Sequence, residues 1–375
     1  MSIVQQGAAT PGAVEPPHLV GIDHVEWWVG NARAFTAFLV AAFGFEEVGY
    51  GGPETGRRDR VSHVLQQGGI RFLVTGALSP DSPVAEHVLT HGDGVRDVCF
   101  VVEDVAAAYD SAVRRGARPE RPPSIDADEH GAVSHAAVAT YGQTVHTFID
   151  RSGYTAGFAP GYGAAVVGPV PGPPVGLTHI DHVVANVEQG RLGEWVAYYE
   201  DVFGFEQMHH FDDDAISTEF SALMSTVVWN GDDVVLPINE PADGRRKSQI
   251  EEYLDYYRSP GVQHLALDTE DIVATVGALR ARGVRVLEVP PEYYDEARER
   301  LAGIDLPWAD LAELGILVDR DEQGHLLQVF TENVCDRPTV FFEVIQREGA
   351  RGFGEGNFKA LFESIERAQA ARGNL

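Results

Sequence analysis

Cysteine is nearly absent: the 375-residue chain has two, Cys99 and Cys335. That excludes a disulfide scaffold and a cysteine-rich zinc site, and it fits a reducing, cytoplasmic setting. Basic residues are scarce too, 28 Lys and Arg against 57 Asp and Glu, for a formal net charge of −29. So acidic a chain repels phosphate backbones and anionic lipid, so neither nucleic acid nor a membrane is an expected partner. No apolar run approaches the roughly 18 residues a membrane span needs. Met1 to Pro17 has neither the basic nor the apolar stretch of a secretion signal, and residues 1–17 read as a flexible tail. What is present is globular: 44% hydrophobic and 23% charged residues exclude a disordered chain. The length suggests about two domains.

The chain repeats itself. Gly21-Ile22-Asp23-His24-Val25 precedes a helical stretch and Ala42-Phe43-Gly44-Phe45-Glu46; His179-Ile180-Asp181-His182-Val183 precedes another and Val202-Phe203-Gly204-Phe205-Glu206. A second matched pair follows: Gly94-Val95-Arg96-Asp97 before Arg115-Gly116-Ala117, and Gly261-Val262-Gln263-His264 before Arg282-Gly283-Val284. Each unit reads strand, amphipathic helix, then strands, an α+β pattern. Helices are expected over Leu192 to Val202 and over Ile272 to Arg282, the latter closed by Gly283. Asn230-Gly231 predicts a tight hairpin turn. The Pro- and Gly-rich run Gly168 to Pro174 reads as a linker within 166–176, separating domains 18–165 and 177–375.

The halves differ in one chemical respect. The second places His182, His264 and Glu343 on three strand-like stretches, 82 and 79 residues apart. Two imidazoles and a carboxylate leave half an octahedron open, a set suited to ferrous iron working with O₂. A histidine in a strand is more often a hydrogen-bonded core residue; the place of His182 and His264 in a repeat is what singles them out. Glu343 stands among Phe341, Phe342, Val344 and Ile345, where an unpaired carboxylate is costly to bury and ligation would relieve the cost. In the first half His24 persists, Asp97 stands where the second histidine would be, and no glutamate is evident over Tyr154 to Tyr162, so that half is expected to bind no metal.

Seven segments together carry a family likeness: Phe220 to Ser225, Leu236 to Pro241, Lys247 to Ile250, Gly261 to His264, Leu326 to Phe330, Pro338 to Glu343 and Gly352 to Leu361. On these the chain resembles the 4-hydroxyphenylpyruvate dioxygenases of the vicinal oxygen chelate superfamily. The resemblance implies two barrel-like domains of paired βαβββ modules, a gating helix near 357–371, and Fe(II) on His182, His264 and Glu343. The implied reaction takes 4-hydroxyphenylpyruvate and O₂ to homogentisate and CO₂, a step of tyrosine and phenylalanine catabolism. The substrate carries its own 2-oxo acid, so no separate 2-oxoglutarate is implied. A homo-oligomer, dimer or tetramer, is expected.

The same resemblance implies the pocket. Ser225, Asn239 and Gln249 match a polar wall, with Gln263 beside the second histidine and Gln328 facing the metal; amides orient a phenol or carboxylate without adding charge. Phe330, Phe341, Phe353 and Phe358 match an aromatic clamp that would hold a ring and exclude water. Pro237 fixes the strand leading to Asn239. Asn357 is placed as the N-cap of an amphipathic lid helix carrying Phe358, Leu361, Phe362 and Ile365. His325 stands where the family usually has tyrosine. Two other readings stay in view: 4-hydroxymandelate synthase, acting on the same substrate, and a metal-free binding protein on the same scaffold.

Overall fold

A computed structural model describes residues 14–166, 173–211 and 222–374. The tail is thus described only from residue 14, and linker residues 167–172 lie outside the described residues. Residues 14–17 are held against the body: Val14 and Glu15 accept hydrogen bonds, through their carbonyls, from Arg115 and Ser111.

The first sheet comprises β1 (Gly21–Val29), β2 (Glu46–Gly51), β3 (Arg60–Gln67), β4 (Ile70–Ala77), β5 (Gly94–Val101), β6 (Arg118–Asp128), β7 (Gly131–Ala139) and β8 (Val145–Asp150). The second comprises β9 (Leu177–Asn186), β10 (Glu206–Phe211), β11 (Ala222–Trp229), β12 (Val235–Ala242), β13 (Gly261–Thr269), β14 (Leu317–Arg320), β15 (His325–Phe330) and β16 (Phe341–Glu348). Their strand orders, β2-β3-β4-β1-β5-β8-β7-β6 and β10-β11-β12-β9-β13-β16-β15-β14, are the same topology shifted by eight strands. Each sheet is two βαβββ modules meeting at an antiparallel pair, β1 with β5 and β9 with β13. The expected duplication and α+β class are therefore present.

Local sequence sets the helices. Asn31 caps the helix Ala32–Phe43 by accepting from the Ala34 N–H, and Gly44, at φ +76°, ends it. Asp271 and Gly283 bracket Ile272–Ala281 in the same way. The stretch after Leu192 departs from expectation: the α-helix stops at Tyr198 and continues as a π turn over Tyr199–Phe203. In that turn Tyr199 and Phe203 stack on each other and pack against His146 of the first domain. The hairpin at Asn230-Gly231 also differs. It is a five-residue loop, because the Asn230 side chain accepts from the N–H groups of Asp232 and Val234 and organises a wider turn.

The two domains share one core. Phe342 of β16 is fully buried and meets Trp27, Phe43 and Phe72 of the first domain, at ring separations of 5.7, 4.9 and 6.0 Å. Strand alternation sends its neighbours Phe341 and Glu343 to the opposite face, into the second barrel.

Candidate metal centre

Three adjacent strands deliver the triad. On β13, Ala266 pairs with His182 of β9 and with Glu343 of β16, and His264 lies two residues along the same face. The two imidazoles converge on one carboxylate oxygen: His182 Nε2 and His264 Nε2 are 3.3 and 3.4 Å from Glu343 Oε2. His182 and Glu343 are buried.

The other ring nitrogens are already engaged. His182 Nδ1 lies 2.6 Å from Asp181 Oδ1, and His264 Nδ1 lies 2.9 Å from Gln263 Oε1. Such partners fix each ring and leave Nε2 facing inward. Burial opposes charge on His182, but the Glu343 carboxylate and Asp181 outweigh it and raise the imidazole pKa to about 9. Burial likewise pushes Glu343 up, and the two imidazoles bring it below its ordinary value. Asp181 is held well below the usual carboxylate range, burial being overruled by hydrogen bonds from Arg347 and His182. The arrangement thus favours positive charge at the point where all three inward atoms meet. A divalent cation would meet the same demand: with the His182 Nε2 proton displaced, two nitrogen donors and one carboxylate there fit it.

The triad opens into a cavity. Its lining includes Ser225, Pro237, Asn239, Gln249, Gln263, Gln328, Phe330, Phe341, Phe353, Phe358 and Leu361, so these candidates are brought together. Gln328 Nε2 donates to Glu343 Oε1 at 3.4 Å. Phe353 packs edge-on against His182, and Phe341 stacks on His264.

Asn357 is placed differently from expectation. It precedes the helix Phe358–Arg372 but makes no side-chain cap, because its own backbone is already helical. Its amide is fully buried: Nδ2 donates to Gln328 Oε1 at 3.1 Å, and Oδ1 accepts from Tyr293 Oη at 2.6 Å. Asn357 therefore stands behind Gln328. Gly354 makes this possible, since at φ +77° it brings the backbone so close that a Cβ would run into Gln328 Oε1. His325 is half-buried on β15, with its backbone bridged to Gly349.

Sequence reasoning missed Asp181, Arg347 and the apolar lining residues Val184, Phe211, Leu223 and Val227. The apolar ones had no signal beyond strand alternation. Asp181 had one: the Asp-His pair occurs twice, at Asp23-His24 and Asp181-His182.

In the first domain the register sets Asp97 opposite Val145 as it sets His264 opposite Phe341, which puts Thr147 in the place of Glu343. Thr147 hydrogen-bonds Asp97 through both its N–H and its hydroxyl. Asp23, His24 and Cys99 also converge there, but Asp23 is taken up by Arg151 and by His24 itself.

Residues 21–157 and 179–329 match the Glyoxalase/Bleomycin resistance protein/Dioxygenase superfamily, which is the class that the duplicated sheets and buried triad define. The chain is 46% identical to a 4-hydroxyphenylpyruvate dioxygenase of Yarrowia lipolytica, over 95% of this chain and 93% of that protein. It is 47% identical to one of Dictyostelium discoideum, over 95% of this chain and all of that protein. Among solved structures, a mutant 4-hydroxymandelate synthase from Streptomyces coelicolor superposes with a TM-score of 0.84 at 36% identity, covering 95% of this chain and all of that one. The chain belongs to the 4-hydroxyphenylpyruvate dioxygenase family.

Proposed function

We propose that this protein is the enzyme its family is named for, a dioxygenase converting 4-hydroxyphenylpyruvate and O₂ to homogentisate and CO₂, with Fe(II) held by His182, His264 and Glu343. The observation that carries the reading is the convergence of those three side chains at the floor of an aromatic-walled cavity, in a chain of this family. Bound there, Fe(II) would supply open coordination positions for a 2-oxo acid and O₂ and would activate O₂, while the electrons that reduce O₂ come, in the balance, from the substrate through its decarboxylation and ring oxidation. No separate 2-oxoglutarate is required.

The chain's own residues do the rest. Asp181 Oδ1 and Gln263 Oε1 accept from the Nδ1 atoms of His182 and His264, so that both Nε2 atoms face the cavity. Gln328, held by Asn357, fixes the Glu343 carboxylate. Ser225, Asn239 and Gln249 give neutral hydrogen-bonding partners for the substrate's phenol or carboxylate. Phe330, Phe341, Phe353 and Phe358, with Leu361 and Pro237, shape a slot for a planar ring and keep water from it. The helix Phe358–Arg372 lays Phe358, Leu361, Phe362 and Ile365 across the cavity and acts as its lid. The proposed domain division at 18–165 and 177–375 is supported by one sheet lying within each range. A homo-oligomer and a cytoplasmic location belong to the same reading; among the described residues no helix is long and apolar enough to cross a membrane.

The deciding experiment is product analysis. Anaerobically purified protein given Fe(II), ascorbate, 4-hydroxyphenylpyruvate and O₂ should release CO₂ and yield homogentisate by HPLC and mass spectrometry. 4-Hydroxymandelate as the product would overturn the assignment in favour of the synthase. Absence of iron by ferrozine together with absence of turnover would favour a metal-free binding protein.

A further inference from the structure

Arg347 joins parts of the site that the pocket residues leave separate. Its Nε and Nη2 donate to Asp181 Oδ2 and Oδ1 at 2.7 and 2.8 Å. Its Nη1 donates to the carbonyls of Gly352 and Ala350 at 2.7 and 3.3 Å. Asp181 in turn holds His182, and Phe353, next in the chain to Gly352, packs its ring on that imidazole with centroids 5.3 Å apart. The guanidinium itself lies 5.5 Å from the Phe353 ring. One planar cation thus fixes the imidazole from behind and the backbone that sets the aromatic ring upon it. The fork geometry matters: a guanidinium can meet a carboxylate with two donors and spend a third elsewhere, which an ammonium does poorly.

The first domain contains a related unit, with one donor from Arg151 to the carboxylate instead of the two from Arg347. Arg151 donates to Asp23 Oδ1 at 2.6 Å and to the Phe158 carbonyl; His24 Nδ1 lies 2.6 Å from Asp23; Phe158 packs edge-on against His24 at 5.2 Å. Arg151 and Arg347 occupy equivalent places, four residues beyond Thr147 and Glu343. What differs is the use. Phe158 packs with Val64 and Leu73, whereas Phe353 lines the substrate cavity.

We propose that Arg347 is a positioning residue that sets the orientation of His182 and the placement of Phe353 together, so that the metal-binding imidazole and the substrate-facing wall hold one common geometry. The proposal rests on His182 being a metal ligand. Loss of Arg347 then weakens metal binding and substrate binding at once, whereas loss of Arg151 weakens only the fold.

The test uses the full chain, with Co(II) as the metal probe. Arg347→Met, Arg347→Lys, Arg151→Met and His182→Ala are compared by chelator competition, by the visible spectrum of bound Co(II), and by KM against kcat for the Fe(II) form. Arg347→Met should raise the Co(II) dissociation constant about 10- to 100-fold, alter the Co(II) spectrum and raise KM. Arg151→Met should lower the melting temperature while leaving the dissociation constant, spectrum and KM unchanged. Should Arg347→Met not fold, Arg347→Lys carries the same expectation at smaller size. Wild-type Co(II) affinity, spectrum and KM in the folded Arg347 variant would overturn the proposal. Co(II) retained at full affinity by His182→Ala would instead show that the ligand assignment beneath it is wrong, so the two failures are distinct.

Discussion

Replacing Phe342 with alanine should destabilise the whole chain, although Phe342 touches neither the triad nor the cavity. Its ring is fully buried, and all three of its aromatic partners, Trp27, Phe43 and Phe72, belong to the other domain. A buried Phe→Ala change costs about 3–5 kcal/mol through lost transfer energy and the cavity left behind. The loss should fall at the upper end here. Trp27, Phe43 and Phe72 are themselves fully buried on rigid elements, and little can collapse into the space. For a chain of this length unfolding as one unit, about 4 kcal/mol corresponds to a drop of roughly 5 °C in melting temperature. Because the lost contacts lie between the domains, the variant should also lose cooperativity, so that the transition seen by fluorescence of the chain's five tryptophans no longer coincides with that seen by far-UV circular dichroism. Urea unfolding followed by both probes gives the answer. A loss below about 1 kcal/mol, with coincident transitions as in the wild type, would refute the idea that this aromatic cluster binds the domains into one body.

Other outcomes follow from the same geometry. Glu343→Gln should remain folded, since it removes a buried charge, yet lose metal affinity by about tenfold or more; metal stoichiometry after gel filtration reads this, and a full complement would contradict the triad. Gly354→Ala should cost roughly 1–2 kcal/mol for the left-handed backbone and should also lower turnover by displacing Gln328; a variant with wild-type stability and rate would show that the close approach is dispensable. Acid should destabilise the fold between pH 6.5 and about 4. Burial lowers both His87 and His146 from 6.5 to about 4, so above 6.5 both folded and unfolded chains are neutral at these rings. Below it the unfolded chain takes up protons that the folded chain refuses, and each histidine withdraws about 3 kcal/mol by pH 4. Urea unfolding at pH 7, 6 and 5 measures the slope, and His87→Gln should remove a good part of it; a stability independent of pH over that range would contradict both assignments.

The duplication was readable because repeated Asp-His pairs and matched helix ends are local features, written in consecutive residues. The triad was readable for the same reason, since a repeat tells which histidines occupy corresponding strands. What could not be read was anything set by register. Arg347 lies four residues beyond Glu343, and nothing in Gln346-Arg347-Glu348 marks it as the partner of an aspartate 166 residues earlier. Asn357 has the composition of an N-cap, but its backbone is already helical and its buried amide is taken up by Gln328 and Tyr293, partners that only the folded chain brings within reach. Asn230-Gly231 has the composition of a two-residue turn, but the asparagine side chain satisfies two N–H groups of a longer loop.

The segment Phe341-Phe342-Glu343 shows how one strand can serve two ends. Read as sequence, its two phenylalanines look alike. Pleating separates them: Phe341 stacks on His264 beside the triad, while Phe342 enters the core of the domain that lacks the ligand set. The carboxylate is thus carried on a strand whose back is gripped by the other domain. This gives a physical reason for a domain without the triad to persist beside one that has it. Glu343 must be held against a desolvation cost that a loose strand would escape by turning the carboxylate outward to water. Trp27, Phe43 and Phe72 close off that escape, because any such rotation of the strand would drag Phe342 out of its aromatic socket. In this arrangement the first domain contributes to the candidate metal centre through packing.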